Sequence, residues 1–231
     1  MKTQVSSRYA RIDTTVLLSR VSSAVDLSSA KHYRGRTGTT HRVSIDIKGA
    51  PQLLIDGDYC KPTIEIINSY NGESPLFLGF GVFRLVCSNG LMLGQSVFSR
   101  RVRHIQGENI DTAIESFVST ILNLDLDAIH RHVSQLGEYR ATRTDVERIL
   151  DDVKAPKRAY NSALYAFENP RRQADVGDSA WQVYNRVQEA LNATTRGVTN
   201  IQINSRLMNE FLNIPNYVSA PTVKYPKLKI V

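Results

Sequence analysis

Hydrophobic and polar residues alternate through the first half of the chain in the manner of β-strands. Residues 42–48 alternate strictly, which predicts a strand with one buried and one solvated face. Further strands are predicted at about 63–70 and across 75–87, where both faces are apolar. A Ser-Asn-Gly turn at 88–90 leads back into apolar residues at 91–105, and Asn-Gly favours the tight type I′ hairpin turn. About four or five strands in an antiparallel meander are therefore expected.

Two features precede this meander. Apolar residues between 16 and 25 recur with helical spacing, and Asp13 or Thr14 can cap that helix. The stretch 28–40 is small, polar and basic and contains glycine, which predicts a mobile loop or the arm of a hairpin.

The apolar period changes to that of helices in the second half of the chain. Residues 110–122 and their continuation towards 132 form one amphipathic pattern, and Thr144-Asp145-Val146-Glu147 has the pattern of a capping box. The polar segment 169–177 contains proline and is predicted to be a linker or an exposed loop.

A further helix is predicted after Asp178 or Ser179, with Trp181 and Tyr184 as core anchors, and a last short helix around 207–212. Strands followed by helices indicate an α+β fold, in which helices from the C-terminal half pack on the antiparallel β-meander of the N-terminal half. We expect a single domain over 1–231: mainly β and basic at 1–106, mainly helical at 107–214, and an extended basic tail at 215–231.

Composition is that of a globular, cytoplasmic protein. The chain has 231 residues, 42% hydrophobic and 22% charged, and no apolar run reaches the roughly 18 residues of a membrane span. The polar start, Met1 to Arg8, lacks the apolar core of a signal peptide. The two cysteines, Cys60 and Cys87, are too few for a disulfide framework. We therefore expect a cytoplasmic location and no membrane partner.

Charge is distributed unevenly between the two halves. Residues 1–106 carry 14 Lys and Arg against 7 Asp and Glu, whereas the remainder carries 15 of each. A basic surface attracts polyanions, and nucleic acid is the commonest of these partners; the alternative is that the excess charge only keeps the protein soluble. Guanidinium groups grip phosphates and aromatic rings stack on bases. The predicted nucleic-acid-binding residues are Tyr33, Arg34, Arg36, Arg42, Lys48, Arg100, Arg101 and Arg103.

Arg84 interrupts an otherwise apolar strand. A guanidinium in such a place is either paired internally with a carboxylate or exposed to a ligand groove, and we favour internal pairing.

Catalytic patterns are not evident in the sequence. It has no Walker A motif, no dinucleotide fingerprint and no H-E-x-x-H helix. His130 and His132 lie two apart on a predicted helix, so their side chains diverge, and the same holds for Asp125 and Asp127. We therefore expect no enzyme activity, cofactor or metal, with an unrecognised nuclease as the alternative.

Four segments together resemble one family. The string Arg84 to Leu91, R-L-V-C-S-N-G-L, resembles the most recognisable motif of DUF932, a family of uncharacterised phage- and plasmid-borne proteins. Similar segments follow the order of that family: S-x-x-Y at Ser6 to Tyr9, R-H at Arg103 and His104, and a W-x-x-Y-N-x-V-Q-E helix from Trp181. Gln188 stands where the family has a hydroxyl residue. The resemblance implies a protein of mobile DNA in the cytoplasm of a bacterial host cell and carries over no settled activity.

The order of elements is also similar to that of Rad52-like single-strand annealing proteins, an analogy of layout alone. With the basic first half, it favours a non-enzymatic protein of phage or plasmid replication or recombination that binds single-stranded DNA. Strand annealing would require a homo-oligomer. The alternative is a phage protein that binds and modulates a host protein without contacting nucleic acid.

Overall fold

The structure, a computed structural model, describes residues 6–34, 38–72, 74–84, 90–92, 99–106, 110–195 and 197–215, and the predicted α+β class is confirmed. The tail beyond residue 215 lies outside the described residues. The helices are α1 (Thr14–Val21), α2 (Ile110–Leu122), α3 (Leu126–Glu138), α4 (Arg143–Asp152), α5 (Lys157–Glu168), α6 (Ala180–Thr194) and α7 (Gly197–Leu212). Within the described part, no helix is long and apolar enough to cross a membrane.

The strands form one sheet. They are β1 (Lys31–Arg34), β2 (Thr40–Asp46), β3 (Leu53–Ile55), β4 (Asp58–Ser69), β5 (Leu76–Arg84), β6 (Gly90–Met92) and β7 (Ser99–Val102). Their order is β1-β2-β4-β5-β6, with β3 beside β4 and β7 beside β5. The pairs β1–β2, β2–β4, β3–β4 and β5–β7 are antiparallel, as the meander predicts.

Strict alternation fixes the orientation of β2. Val43 and Ile45 are fully buried, and they lie opposite Ile66 and Ile64 of β4. β4 itself is buried from residue 62 to residue 69, so both faces of this central strand are covered. A one-residue slip would expose the whole apolar set of β2, which is why the register is well determined.

Two predicted segments take a more specific form in the structure. The basic stretch 28–40 contributes β1, which pairs with β2 as the arm of a hairpin. The predicted strand 91–105 is represented by β6 and β7, both of which pair with β5. Residues 93–98 between them lie outside the described residues.

Side-chain caps begin several of the helices, and one predicted cap is wrong. Asp13 caps α1 and Ser179 caps α6, each through an oxygen that accepts a backbone N–H. The capping box of α4 consists of Thr142 and Asp145, not of Thr144 and Glu147. Both pairs fit the same spacing, and the upstream pair prevails because Thr142 has the extended backbone that an N-cap needs.

The described residues group into two compact units. The first takes its residues from Met1–Gln52, Lys61–Val82 and Gln95–Leu124, and the second from Leu53–Cys60, Phe83–Gly94 and Asp125–Val231. The division does not follow the predicted change at residue 106, because α2 belongs to the first unit and the β3–β4 hairpin to the second. One domain over 1–231 stays a prediction.

The core of the first unit contains α1, α2 and the sheet. Leu17 and Val21 of α1 are fully buried, and α1 packs against α2, whose Ile114 and Phe117 are also buried. The side-chain amide of Asn68 donates to the carbonyl oxygen of Ile12 at 2.8 Å, which joins β4 to the start of α1.

The core of the second unit is built around α6. The predicted anchors Trp181 and Tyr184 are 1% and 0% exposed, and the ring centroids of Tyr184 and Phe211 of α7 lie 5.5 Å apart. Burial extends round most of α6, as expected of a helix packed on several sides.

Arg84 lies at the centre of the second unit, paired internally as the sequence favours. Its side chain is 1% exposed; Nη2 donates to Oδ1 of Asp58 at 2.8 Å, and Nη1 forms an ion pair with Asp175. Trp181 Nε1 donates to Oδ2 of Asp58 at 2.7 Å. Burial by itself lowers the pKa of Arg84, but hydrogen bonds and attraction from the two carboxylates outweigh burial and raise the pKa above its ordinary value. We call these four residues the Arg84 cluster.

The segment 169–177, predicted to be a linker or an exposed loop, is largely exposed but contains one buried residue. It contains a short 3-10 helix, Gln173–Asp175, and Asp175 is 2% exposed because its carboxylate binds Arg84. Polarity suggested exposure, whereas here a polar side chain is buried by a partner 91 residues away.

We predict that Arg84→Ala lowers the free energy of unfolding by about 3–5 kcal/mol, because it leaves two buried carboxylates without their cation. Urea unfolding measures the change. The matched control is Arg143→Ala, whose half-exposed side chain lies 2.9 Å from Glu147, and it is expected to cost less than about 1 kcal/mol. Equal losses in the two variants would contradict a central role for the Arg84 cluster.

Candidate nucleic-acid interface

Arg42 and Tyr33 lie together on one face of the sheet. They are cross-strand partners, and the Arg42 guanidinium carbon is 6.0 Å from the Tyr33 ring centroid. Arg42 Nε also donates to Oε1 of Glu65 at 2.9 Å. Burial alone lowers the pKa of Arg42, but the Glu65 carboxylate outweighs it, so the pKa is raised. Arg42 therefore keeps its charge but already holds a carboxylate.

Arg34 points to the opposite face from Arg42. It lies across from His41, whereas Tyr33 lies across from Arg42, and cross-strand partners share a face. All four residues of β1 are exposed. The predicted cations of β1 and β2 are thus divided between two faces.

A row of cations and rings extends from Arg34 on its own face. The His41 ring lies edge-on to the Tyr70 ring with centroids 4.9 Å apart, and the exposed Arg11 guanidinium carbon is 4.8 Å from the Tyr70 centroid. The Tyr70 hydroxyl donates to Oγ1 of Thr14 at 2.7 Å, which fixes the ring. We call Arg11, Arg34, His41 and Tyr70 the Tyr70 surface.

Backbone pairing holds the segment that carries Arg11. Ala10 N–H donates to the His104 carbonyl at 3.0 Å, and Gln106 N–H donates to the Arg8 carbonyl at 2.9 Å. The Tyr9 and His104 rings stack with centroids 5.0 Å apart, and the Tyr9 hydroxyl donates to the Ser69 carbonyl. Burial raises the pKa of Tyr9, so the phenol stays protonated as a donor.

The predicted cations of β7 follow strand alternation. Arg101 and Arg103 are exposed, whereas Val102 between them is buried. The Arg101 guanidinium carbon is 6.0 Å from the Phe77 ring, which is itself a core residue. For Arg100 the structure gives only the backbone position, opposite Leu78.

The remaining predicted cations are placed elsewhere or not described. Lys48 is exposed and lines a polar cavity of about 610 Å³ together with Lys61, Asp26 and Asp46. Six residues separate it from Arg42, roughly 20 Å along an extended strand. Arg36 lies outside the described residues.

The binding residues predicted from the sequence do not include Arg11, His41 or Tyr70. Arg11 reaches this surface through a contact with Tyr70, 59 positions away in the sequence, which no local pattern reveals. The available signal was the His-Arg pair at 41 and 42, because strand alternation places one of the two on each face.

The Tyr70 surface offers phosphate donors and a stacking ring. Exposed guanidiniums bind phosphate oxygens, and His41 and Tyr70 supply flat rings. Asp13, which caps α1, adds a negative charge beside Arg11. Within the described ranges, no group of three or more His, Cys, Asp or Glu is placed to hold a metal ion.

A family model described as "Domain of unknown function (DUF932)" matches residues 3–210. The chain belongs to the DUF932 family. Two UPF0380 proteins of Escherichia coli (strain K12), YafZ and YfjQ, are each 28% identical to it over 143 residues, which is 56% of this chain and 48% of theirs. The DUF932 chain thus spans about half the length of these curated relatives. No solved structure matches it.

Residues that carried the DUF932 resemblance meet in space within each unit. Tyr9 stacks on His104 in the first unit, and Arg84 and Trp181 both bind Asp58 in the second. Gln188, at the family's hydroxyl position, donates to the Tyr184 hydroxyl at 2.7 Å. In this DUF932 chain these motif residues form contacts inside each unit rather than line the Tyr70 surface.

We predict that the first unit loses stability as the pH falls below about 6.5, the ordinary pKa of histidine. His104 is 6% exposed, and burial lowers its pKa, although its hydrogen bond to the Ala10 carbonyl partly opposes this. The folded state therefore binds a proton less readily than the unfolded state, so stability present at neutral pH declines on acidification.

Urea unfolding at about pH 7.5 and about pH 5.5 measures this dependence. His104→Gln keeps a donor for the Ala10 carbonyl. This variant is expected to lose less unfolding free energy between the two pH values than the parent chain does. Burial also lowers the pKa of His132, which belongs to the second unit, so part of the loss of stability measured for the whole chain remains. His32→Gln, at an exposed histidine, is the control and should lose as much stability on acidification as the parent chain. The same loss in His104→Gln would contradict the prediction.

Proposed function

We propose that this chain binds single-stranded nucleic acid, DNA in the first place, through the Tyr70 surface, without catalysing a reaction. The observation that carries the proposal is the row Arg11, Tyr70, His41 and Arg34, in which exposed cations flank aromatic rings. Proteins that bind single strands combine these two elements, phosphate grips and stacking platforms.

The exposed cations of β7 extend the proposed interface. Arg101 and Arg103 lie in the same unit as the Tyr70 surface, and Arg103 directly precedes His104, which pairs with the segment bearing Arg11. A backbone of phosphates needs successive cations rather than a single site. We therefore include Arg101 and Arg103 in the interface and assign Arg42 a lesser part, because Glu65 already occupies it.

The biological role we propose is in replication or recombination of a phage or plasmid. Binding along one strand would leave base edges available for pairing, and a homo-oligomer with such binding could anneal complementary strands. An annealing assay follows only if single-strand binding is observed.

Protein binding is the second candidate function, and one observation favours it. Leu54 and Tyr59 are cross-strand partners in the β3–β4 hairpin, 50% and 57% exposed. An exposed apolar pair of this kind is suited to a partner protein. Binding of this sort would depend little on salt.

We predict that Arg11→Ala/Arg34→Ala weakens single-strand binding about 10-fold and lowers the slope of log affinity against log salt by about 1.4, since each phosphate contact contributes about 0.7. Fluorescence anisotropy with a labelled single-stranded oligonucleotide measures both quantities. Duplex DNA and RNA serve as competitors.

The matched control removes two exposed cations from the second unit, Lys157→Ala/Arg158→Ala. It should leave the affinity and the salt slope unchanged. Equal weakening in both double variants would indicate non-specific charge attraction and overturn the assignment to the Tyr70 surface. Absence of binding at low salt would overturn the nucleic-acid proposal altogether. It would favour the second candidate function, protein binding through the Leu54–Tyr59 pair.

A further inference from the structure

A cavity of about 260 Å³ lies between α5 and α6 in the second unit. Small side chains create it, because Ala166 of α5 and Ala190 and Ala193 of α6 line its wall. Ligand pockets usually measure about 300–1,000 Å³. This one therefore suits a small ligand or one that extends partly beyond its mouth.

Arg186 lines this cavity and is 7% exposed. Its Nη2 donates to the Gly177 carbonyl at 2.8 Å, and its guanidinium carbon lies 5.4 Å from the Phe167 ring. Among the described residues, no acceptor bonds its Nε, which is buried. Burial lowers the pKa of Arg186 despite the attraction of Asp175 and Asp178. A buried donor without an acceptor is costly, and an anionic ligand would supply the acceptor.

With Arg186 included, the lining is cationic on balance. Glu189 is the acidic member, and its carboxylate is neutralised by Arg172 at 3.3 Å and Arg171 at 3.9 Å. Arg171 itself lines the cavity with a side chain that is 73% exposed. With Glu189 paired, Arg171 and Arg186 leave an excess of positive charge that attracts an anion.

Tyr165 supplies a ring to the same cavity. It is 67% exposed, a large aromatic surface in contact with solvent on a helix that is otherwise packed on its alanine face. The Asn169 side chain, also in the lining, donates to the Tyr165 backbone carbonyl at 3.0 Å, which orients a polar amide beside the ring. A flat ligand ring can stack here within reach of polar groups.

We propose that this cavity binds a phosphate monoester that carries a flat ring, in the manner of a nucleoside monophosphate. Arg186 and Arg171 hold the phosphate, and Tyr165 stacks on the ring at the mouth. The ligand is either a free nucleotide or the phosphorylated end of a nucleic acid, which share this chemistry. The site lies in the second unit and does not depend on the Tyr70 surface.

Isothermal titration calorimetry of the whole chain tests the proposal with adenosine monophosphate as the probe. Adenosine and inorganic phosphate each lack one of the two contacts, so each is expected to bind at least about 10-fold more weakly. Phosphate binding as tight as that of adenosine monophosphate would overturn recognition of the ring. Absence of binding by all three at millimolar concentration would overturn the site.

Two variants separate the contacts without disturbing the core, because both side chains are largely exposed. Tyr165→Ala and Arg171→Ala are each expected to weaken the binding of adenosine monophosphate about 10-fold. The control is Arg158→Ala, because Arg158 lies on the same helix as Tyr165 but outside the cavity lining. This variant should bind adenosine monophosphate as the parent chain does. Unchanged affinity in both test variants would overturn the proposal.

Competition distinguishes the two sources of the ligand. Oligonucleotides with a phosphate or a hydroxyl at the 5′ end compete against adenosine monophosphate, in the Arg11→Ala/Arg34→Ala background to weaken binding by the Tyr70 surface. Displacement by the phosphorylated strand alone assigns the site to nucleic-acid ends, and displacement by neither assigns it to free nucleotides. Displacement by both would contradict recognition of a phosphate monoester.

Discussion

The bidentate pairing of Arg84 with Asp58, completed by Asp175, brings together parts of the chain that are far apart in sequence. Asp58 begins β4, Arg84 ends β5, and Asp175 precedes the helix that carries Trp181. Burying three charges is costly, and the cost is offset only where opposite charges lie in close contact with favourable geometry. Few other arrangements of these segments would satisfy that condition, so the cluster selects one packing of the second unit among those that burial of apolar residues alone would permit.

Local patterns were sufficient to predict most elements of the fold. Alternation predicted the buried face of β2, and the spacing of Trp181 and Tyr184 predicted the face of α6 that enters the core. The choice of Thr144 as the cap of α4 was a local error, whereas the burial of Asp175 was missed because a distant partner decides it. Asp175 sits in a polar, proline-bearing segment that resembles a loop, and only Arg84 explains its burial.

The candidate site was less predictable than the fold, for a geometric reason. Composition located the excess charge in the first half of the chain, but strand register decides which cations share a face. The register places Arg34 and Arg42 on opposite faces. Glu65 of β4, the neighbouring strand in the sheet, pairs with Arg42. The contact of Arg11 with Tyr70 joins the N-terminal segment to the end of β4, and no periodicity indicates such a contact.

The exposed strand β1 has a consequence for self-association. It lies at the end of the strand order, and its sequence is Lys-His-Tyr-Arg. An open sheet edge is a template for another strand, and charged side chains are a common protection against such addition. A second copy of β1 laid antiparallel on this edge would bring lysine and arginine of the two strands close to one another, which is unfavourable. This edge is thus protected against the edge-to-edge stacking that begins aggregation.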